Sequence, residues 1–302
     1  MENSLNKLEG IKKRNKNRIW ELDMLRGFAI IMVFFDHLFY DFAFFFQSWQ
    51  YSNSTLLNNF HAFGYDYVLG ELRGFWRPAF LFIFIFTSGI CTAFSRNNFM
   101  RGLKLAILAI LITFITYYVN IIFGVDSFIL FGILHCLALI ILIYALVEFL
   151  IKIIVKLSYK IAKKTYNNTV YKYALSIVCL ILSVVFLIIN EKYNVKIYDA
   201  TVYFDTVATD SKLLGLLFYT NNWWTADYFP LFPFIFFFFF GAGLSQFIYP
   251  KKKSLLPCLD TKWHLPFSLP GRYSIFFYLG AQIIALAFCF ILSLIFGEPI
   301  SI

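Results

Sequence analysis

The chain has 302 residues, of which 60% are hydrophobic and only 14% charged, with forty Phe and a mean hydropathy of +0.72. A soluble core of this size needs no such apolar excess, so the composition points to a polytopic membrane protein. The net charge of +9 would suit nucleic acid. Its lysines and arginines, however, fall in short loops between apolar runs, which excludes that partner and reads as topogenic charge.

A polar, basic lead, residues 1–20, precedes a predicted span at 25–46. No cleavable leader is expected, because this apolar run is too long and follows eighteen polar residues. An aromatic loop, 47–74, carries His61, Asp66 and Glu71. Spans at 75–94 and 103–123 are joined by a basic turn bearing Arg96, Arg101 and Lys104. A tight turn leads to a span at 128–151, and a basic loop, 152–172, to the shortest span, 173–189. The long loop 190–227 ends in NNWWTADY, whose two tryptophans suit a membrane interface. A span at 228–248, opened by Pro230 and Pro233, a second basic loop, 249–274, and a span at 275–295 complete the chain.

The fold class expected is therefore an all-α integral membrane protein of about seven transmembrane helices in a single domain, 1–302. The lead and the loops after spans two, four and six carry nineteen Lys and Arg, against four in the other loops. That bias predicts a cytoplasmic N-terminus and a C-terminus outside. The five cysteines show no CxxC pair, and four lie in apolar runs, so they read as small buried hydrophobes rather than a disulfide framework or metal site.

The chemistry concentrates in residues 21–41, ELDMLRGFAIIMVFFDHLFYD. Charged side chains inside a span are costly and mark function. Arg26 and His37 are eleven residues apart, close to three helical turns, so they share a face at a separation of roughly 16 Å along the axis. Asp23 and Asp41 flank that stripe, and Asp36 points elsewhere. His135, about eight residues into its span, is predicted at the depth of His37, where both imidazoles could face one cavity. An imidazole in this setting can serve as general base or proton relay, with Asp36 and Asp41 as partners. Metal binding is the weakest case, for want of ligand spacing. Arg26, Arg96, Arg101, Lys104 and Arg272 could form a cationic ring for a phosphorylated donor. The plain alternative is an interfacial Arg, a packed core His and ordinary topogenic charge.

LDMLRGFAIIMVFFDHLFYDF resembles the opening of bacterial relatives of the heparan-alpha-glucosaminide N-acetyltransferase catalytic domain, a family of transmembrane acyltransferases. The resemblance continues in FLFIFIFTSGICTAFSRNNFMRGLKLAILAILIT, FGILHCLALIILIY and DYFPLFPFIFFFFFGAGLSQFIY. It closes on LPGRYSIFFYLGAQ, similar to the family's final Gly-Arg-x-Ser helix, and so covers nearly the whole chain. It implies acyl transfer across a membrane, in this case a bacterial plasma membrane, from acetyl-CoA or another acyl-CoA in the cytoplasm to an extracytoplasmic glycan or glycolipid. In that reading the basic groups hold the donor's phosphates, and the pantetheine arm runs from Arg26 towards His37. His37 then deprotonates the acceptor, oriented by Asp41 or Asp36. In the lysosomal enzyme the position matching His37 holds Asn and the catalytic His lies in the first outer loop, where this chain offers His61. A proton-coupled transporter lined by His37, Asp41 and His135, and a non-catalytic protein of the same fold, are the competing readings. The absence of inverted repeats weighs against the transporter.

Overall fold

The computed structural model describes residues 18–124, 127–192, 214–219 and 227–297. Every regular element among them is helical. In chain order these are α1 (Trp20–Tyr40), α2 (Thr55–Leu69), α3 (Glu71–Ile90), α4 (Asn98–Phe123), α5 (Ile133–Ile161), α6 (Asn168–Lys192), α7 (Leu214–Leu217), α8 (Phe234–Ile248), α9 (Leu265–Arg272) and α10 (Ser274–Phe296). A π-helical turn, Asp41–Phe45, prolongs α1, and short 3-10 turns follow α1, follow α3 and precede α9. Six of the helices, α1, α3, α4, α5, α6 and α10, are long and apolar enough to cross a membrane. The protein is an all-α, multi-pass membrane protein.

Local chemistry sets the helix ends. Asn97 caps α4 by accepting the Met100 amide at 3.0 Å, and Gly124, at φ +67°, ends it in the left-handed conformation that spares a side chain strain. The stretch predicted as a span at 228–248 forms a helix only from Phe234, because Pro230 and Pro233 have no amide hydrogen to give a helical ladder. Fifteen residues remain, about 22 Å at ~1.5 Å per residue. The predicted loop 152–172 is corrected in the other direction. Helix α5 runs on to Ile161, carrying Lys152, Lys156 and Lys160 at helical spacing beyond the apolar run.

The chain divides into two compact units, Met1–Phe84 with Phe247–Ile302, and Ile85–Gln246. In the first, α1 and α10 run in the same direction. Arg26 donates to Ser274, Gln282 to Asp41 and Trp49 to Ser293, so both chains ascend together. Leu38, Phe42, Phe46, Trp49 and Leu57 pack there with Ala285 and Cys289. Residues 47–74, expected as a loop, contain α2 instead. Its Gly64 lies so close to α1 that a Cβ would meet the Phe39 oxygen at 2.7 Å, and Phe60 stacks on Phe42 at 5.1 Å. The residues 249–274, also expected as a loop, contain α9, which crosses α1 backbone to backbone. A Cβ on Gly27 would overlap the Phe267 carbonyl, and one on Gly271 the Asp23 carbonyl.

In the second unit, the latter part of α3 crosses α8 in the same manner, at Gly89 and Gly241. Asn98 and Tyr171 reach Glu148 of α5 at 3.0 and 3.5 Å, tying the starts of α4 and α6 to it.

Candidate functional site

Helix α1 supplies the site because it is apolar enough to span a membrane, yet carries Arg26, Asp36 and His37, with Asp41 in the turn beyond. Each is partnered differently. Arg26 donates through Nη2 to Ser274 Oγ at 2.6 Å, while its Nε is buried without a hydrogen-bond partner. Arg272, two residues before Ser274, also buries an unpartnered Nε. The close crossing at Gly27 and Gly271 brings these two arginines to one junction of α1, α9 and α10. A buried guanidinium N–H gains a strong, charge-assisted hydrogen bond from any anionic acceptor that reaches it. At the same end Glu21 Oε1 accepts from Ser254 Oγ and the amides of Leu255 and Leu256, at 2.6 to 2.9 Å. The start of α1 and the basic 249–264 segment therefore lie together, as the charge count requires if both face one side.

Asp36, off the Arg26–His37 stripe, is buried in an ion pair. Arg73 grips it through Nε at 2.8 Å and Nη2 at 3.2 Å, and Arg77 stands 3.9 Å away. Tyr67 of α2 adds its hydroxyl at 3.2 Å. Burial, then the Asp36 charge, push the Tyr67 phenol above its ordinary pKa, so it stays a donor at any physiological pH. Asp41 is only 1% exposed, and both its oxygens receive the Gln282 amide, at 3.1 and 3.2 Å. The two carboxylates that the sequence offers as orienting partners for His37 are thus engaged elsewhere, although Asp36, Arg77 and Arg73 all lie within electrostatic reach of its ring. His37 itself is half-buried.

His61 is buried on α2, its ring 6.2 Å from that of Tyr65. His135 belongs to the second unit, and both its ring nitrogens are committed. Nδ1 accepts the Gly132 amide at 3.2 Å, and Nε2 lies 3.0 Å from Thr113 Oγ1. Because the Thr113 hydroxyl donates to the Ile129 carbonyl, Nε2 is the donor to Thr113, and the ring caps the start of α5. Arg96 and Lys104 are exposed at the start of α4 in that unit, and Arg101 points to the Ser88 carbonyl at 3.5 Å. Of the five predicted cations, Arg26 and Arg272 share a junction within one unit. Among the described residues, no group of three or more His, Cys, Asp or Glu is arranged to hold a metal.

Sequence reading passed over Arg73, Tyr67, Ser274 and Gln282 as site residues. Gln282 carried a signal, an amide inside an apolar span, and Ser274 stands in the Gly-Arg-x-Ser motif. Arg73 and Tyr67 carried none beyond their position before a span.

These features define a multi-pass helical membrane protein whose first span buries ionisable groups against its last. The chain belongs to the family described as heparan-alpha-glucosaminide N-acetyltransferase, catalytic, which it matches over residues 18–283. That membership carries a membrane acetyltransferase type of function. No curated protein and no solved structure matches the chain.

Proposed function

We propose that the protein transfers an acyl group, acetyl in the first instance, from acyl-coenzyme A on the basic side of the membrane to a hydroxyl or amine of a glycan or glycolipid on the other side. The observation that carries this reading is the pair of buried, unpartnered guanidinium N–H groups, Arg26 and Arg272, at one end of the helix that bears His37. They fit a donor with phosphates. Each can give a charge-assisted hydrogen bond that water does not compete for. Ser274 fixes Arg26 in advance, which lowers the ordering cost of binding.

His37 stands eleven residues along α1, roughly 16 Å further at ~1.5 Å per residue, a distance that a pantetheine arm can cover. Its imidazole removes the acceptor's proton as the acceptor oxygen or nitrogen bonds to the acyl carbon. As the carbon–sulfur bond breaks, the imidazolium returns that proton to the leaving thiolate, so the step balances without net proton release for a hydroxyl. The Asp36–Arg73 pair fixes the backbone beside His37. His61 on α2 is the second candidate base, the counterpart that the resemblance to the lysosomal enzyme implies.

The test is binding and turnover of acetyl-coenzyme A by purified protein. Arg26→Ala and Arg272→Ala are each expected to weaken donor binding by about 10- to 100-fold, the loss of one charged hydrogen bond. His37→Ala is expected to keep binding and to lose about 10²- to 10⁴-fold in turnover. Turnover abolished by His61→Ala and spared by His37→Ala would move the base to α2. Absence of saturable donor binding by folded wild type would defeat the reading.

A further inference from the structure

The segment that carries Arg272 is built inside out. Residues 249–273 are pinned to the start of α1 through Glu21, through the Trp20 indole donating to the Leu256 carbonyl at 3.3 Å, and through the Gly27–Gly271 crossing. From Ser254 on, the side chains that face the protein are small or polar. His264 is 5% exposed and Ser268 2%, bonded to each other at 3.0 Å. The side chains that face away are large and apolar. Trp263 touches Trp20 with one edge, at 5.7 Å between rings, and is still 51% exposed; Leu269 is 47% exposed, and Leu255, Leu259, Leu265 and Phe267 are open as well. A water-facing segment shows the reverse pattern, and exposed apolar groups of this size forgo most of the stabilisation that burial brings. Satisfied polarity points the same way. The Trp263 indole N–H donates internally to the Leu259 carbonyl at 2.9 Å, so the ring can enter an apolar medium without an orphan donor.

Charge accompanies the apolar face. Lys251, Lys252, Lys253 and Lys262 are exposed along the same segment. Of the carboxylates nearby, Asp260 pairs with His264 at 3.0 Å, and Glu21 accepts the 254–256 turn. The segment also runs straight into α10, a candidate span that opens at Ser274, so it stands at the membrane boundary by continuity of the chain.

We propose that residues 249–272 form an interfacial strap that lies in the headgroup layer and holds an anionic phospholipid, its acyl chains against Trp263 and the leucines, its phosphate among the four lysines. The proposal does not depend on the acyltransferase reading. It differs from a generic positive loop in that apolar contact and charge come from one fixed segment.

The full-length protein would be placed in nanodiscs of phosphatidylcholine alone or mixed with phosphatidylglycerol. Tryptophan emission with brominated acyl chains, compared between wild type and Trp263→Phe, isolates the Trp263 signal. Native mass spectrometry counts retained phosphatidylglycerol. The expected result is quenching of Trp263 by brominated lipid and not by aqueous acrylamide. Phosphatidylglycerol binding should be weakened by about 10³-fold in K251Q/K252Q/K253Q/K262Q, the loss of four membrane-proximal cations. Thermal unfolding of that variant in neutral detergent checks that it folds. Acrylamide quenching without lipid quenching would put the strap in water. Shielding from both quenchers would put a second copy of the chain on it. Undiminished phosphatidylglycerol in the folded quadruple variant would place the lipid elsewhere. Any of the three overturns the proposal.

Discussion

Asp36 and Arg73 are each less than 10% exposed at the side chain, and together they decide the electrostatics beside His37. Removing one partner strands the other's charge in a dry environment, a loss of about 3–5 kcal/mol where such pairs have been broken. Arg73→Ala should therefore lower the unfolding midpoint in detergent sharply, whereas Asp36→Leu with Arg73→Met should be far milder, because no charge is left buried. The same logic at smaller scale applies to Asp41. Gln282→Leu removes the amide that both its oxygens share, and about 1–3 kcal/mol of stability should go with it, read from chemical denaturation. At this scale the sequence was legible where partners lie on one helix. The Arg26–His37 stripe and the departure of Asp36 from it follow from helical periodicity. The identity of each partner was not, because Arg73 is 37 residues from Asp36 and Gln282 is 241 from Asp41, and nothing local in the chain records such pairings.

The crossing of α1 and α9 leaves no room for a side chain. Gly271→Ala would drive a Cβ into the Asp23 carbonyl, an overlap that only separation of the two helices relieves, at about 1–3 kcal/mol or more. Because Arg272 moves with it, donor binding should fall together with stability. Gly280→Ala is the control. Its Cβ would meet only Ile284 Cδ1 at 3.8 Å, and it should be neutral or slightly stabilising in the same melting assay. The long helices were read from their apolar runs to within a few residues at most ends. Helices α2 and α9 were hidden in what reads as loop, for a physical reason. One contains Asn58, Asn59 and Gly64 and the other two prolines, so neither is a strong helix former alone. Packing against α1, which a single sequence does not display, stabilises both.

Taken as a whole, the chain has a parity to satisfy. Helices α1 and α10 run the same way, yet among the described residues α10 is only the sixth helix long enough to cross, and alternate crossings would set the sixth against the first. A further crossing would resolve this, and the apolar stretch predicted as a span at 228–248, of which α8 is the helical part, is the candidate. The expectation is that the end of α10 emerges opposite the start of α1. In an otherwise cysteine-free protein, Cys258, which is exposed, should react with an impermeant maleimide from one side, and a cysteine introduced by Gly297→Cys from the other. Labelling of both from the same side would mean that α10 does not cross. The distance between α1 and α10 along the chain also has a meaning in time. At about 5–20 residues per second, the 241 residues between Asp41 and Gln282 take roughly 12–48 s to synthesise. Throughout that interval the first helix waits with a carboxyl group that has no amide to bind. The nascent protein must be sheltered by the insertion machinery or by a chaperone until its last helix arrives. A chain stopped short of Ser274 should remain a client of that machinery and be cleared faster than the complete protein in a pulse-chase experiment.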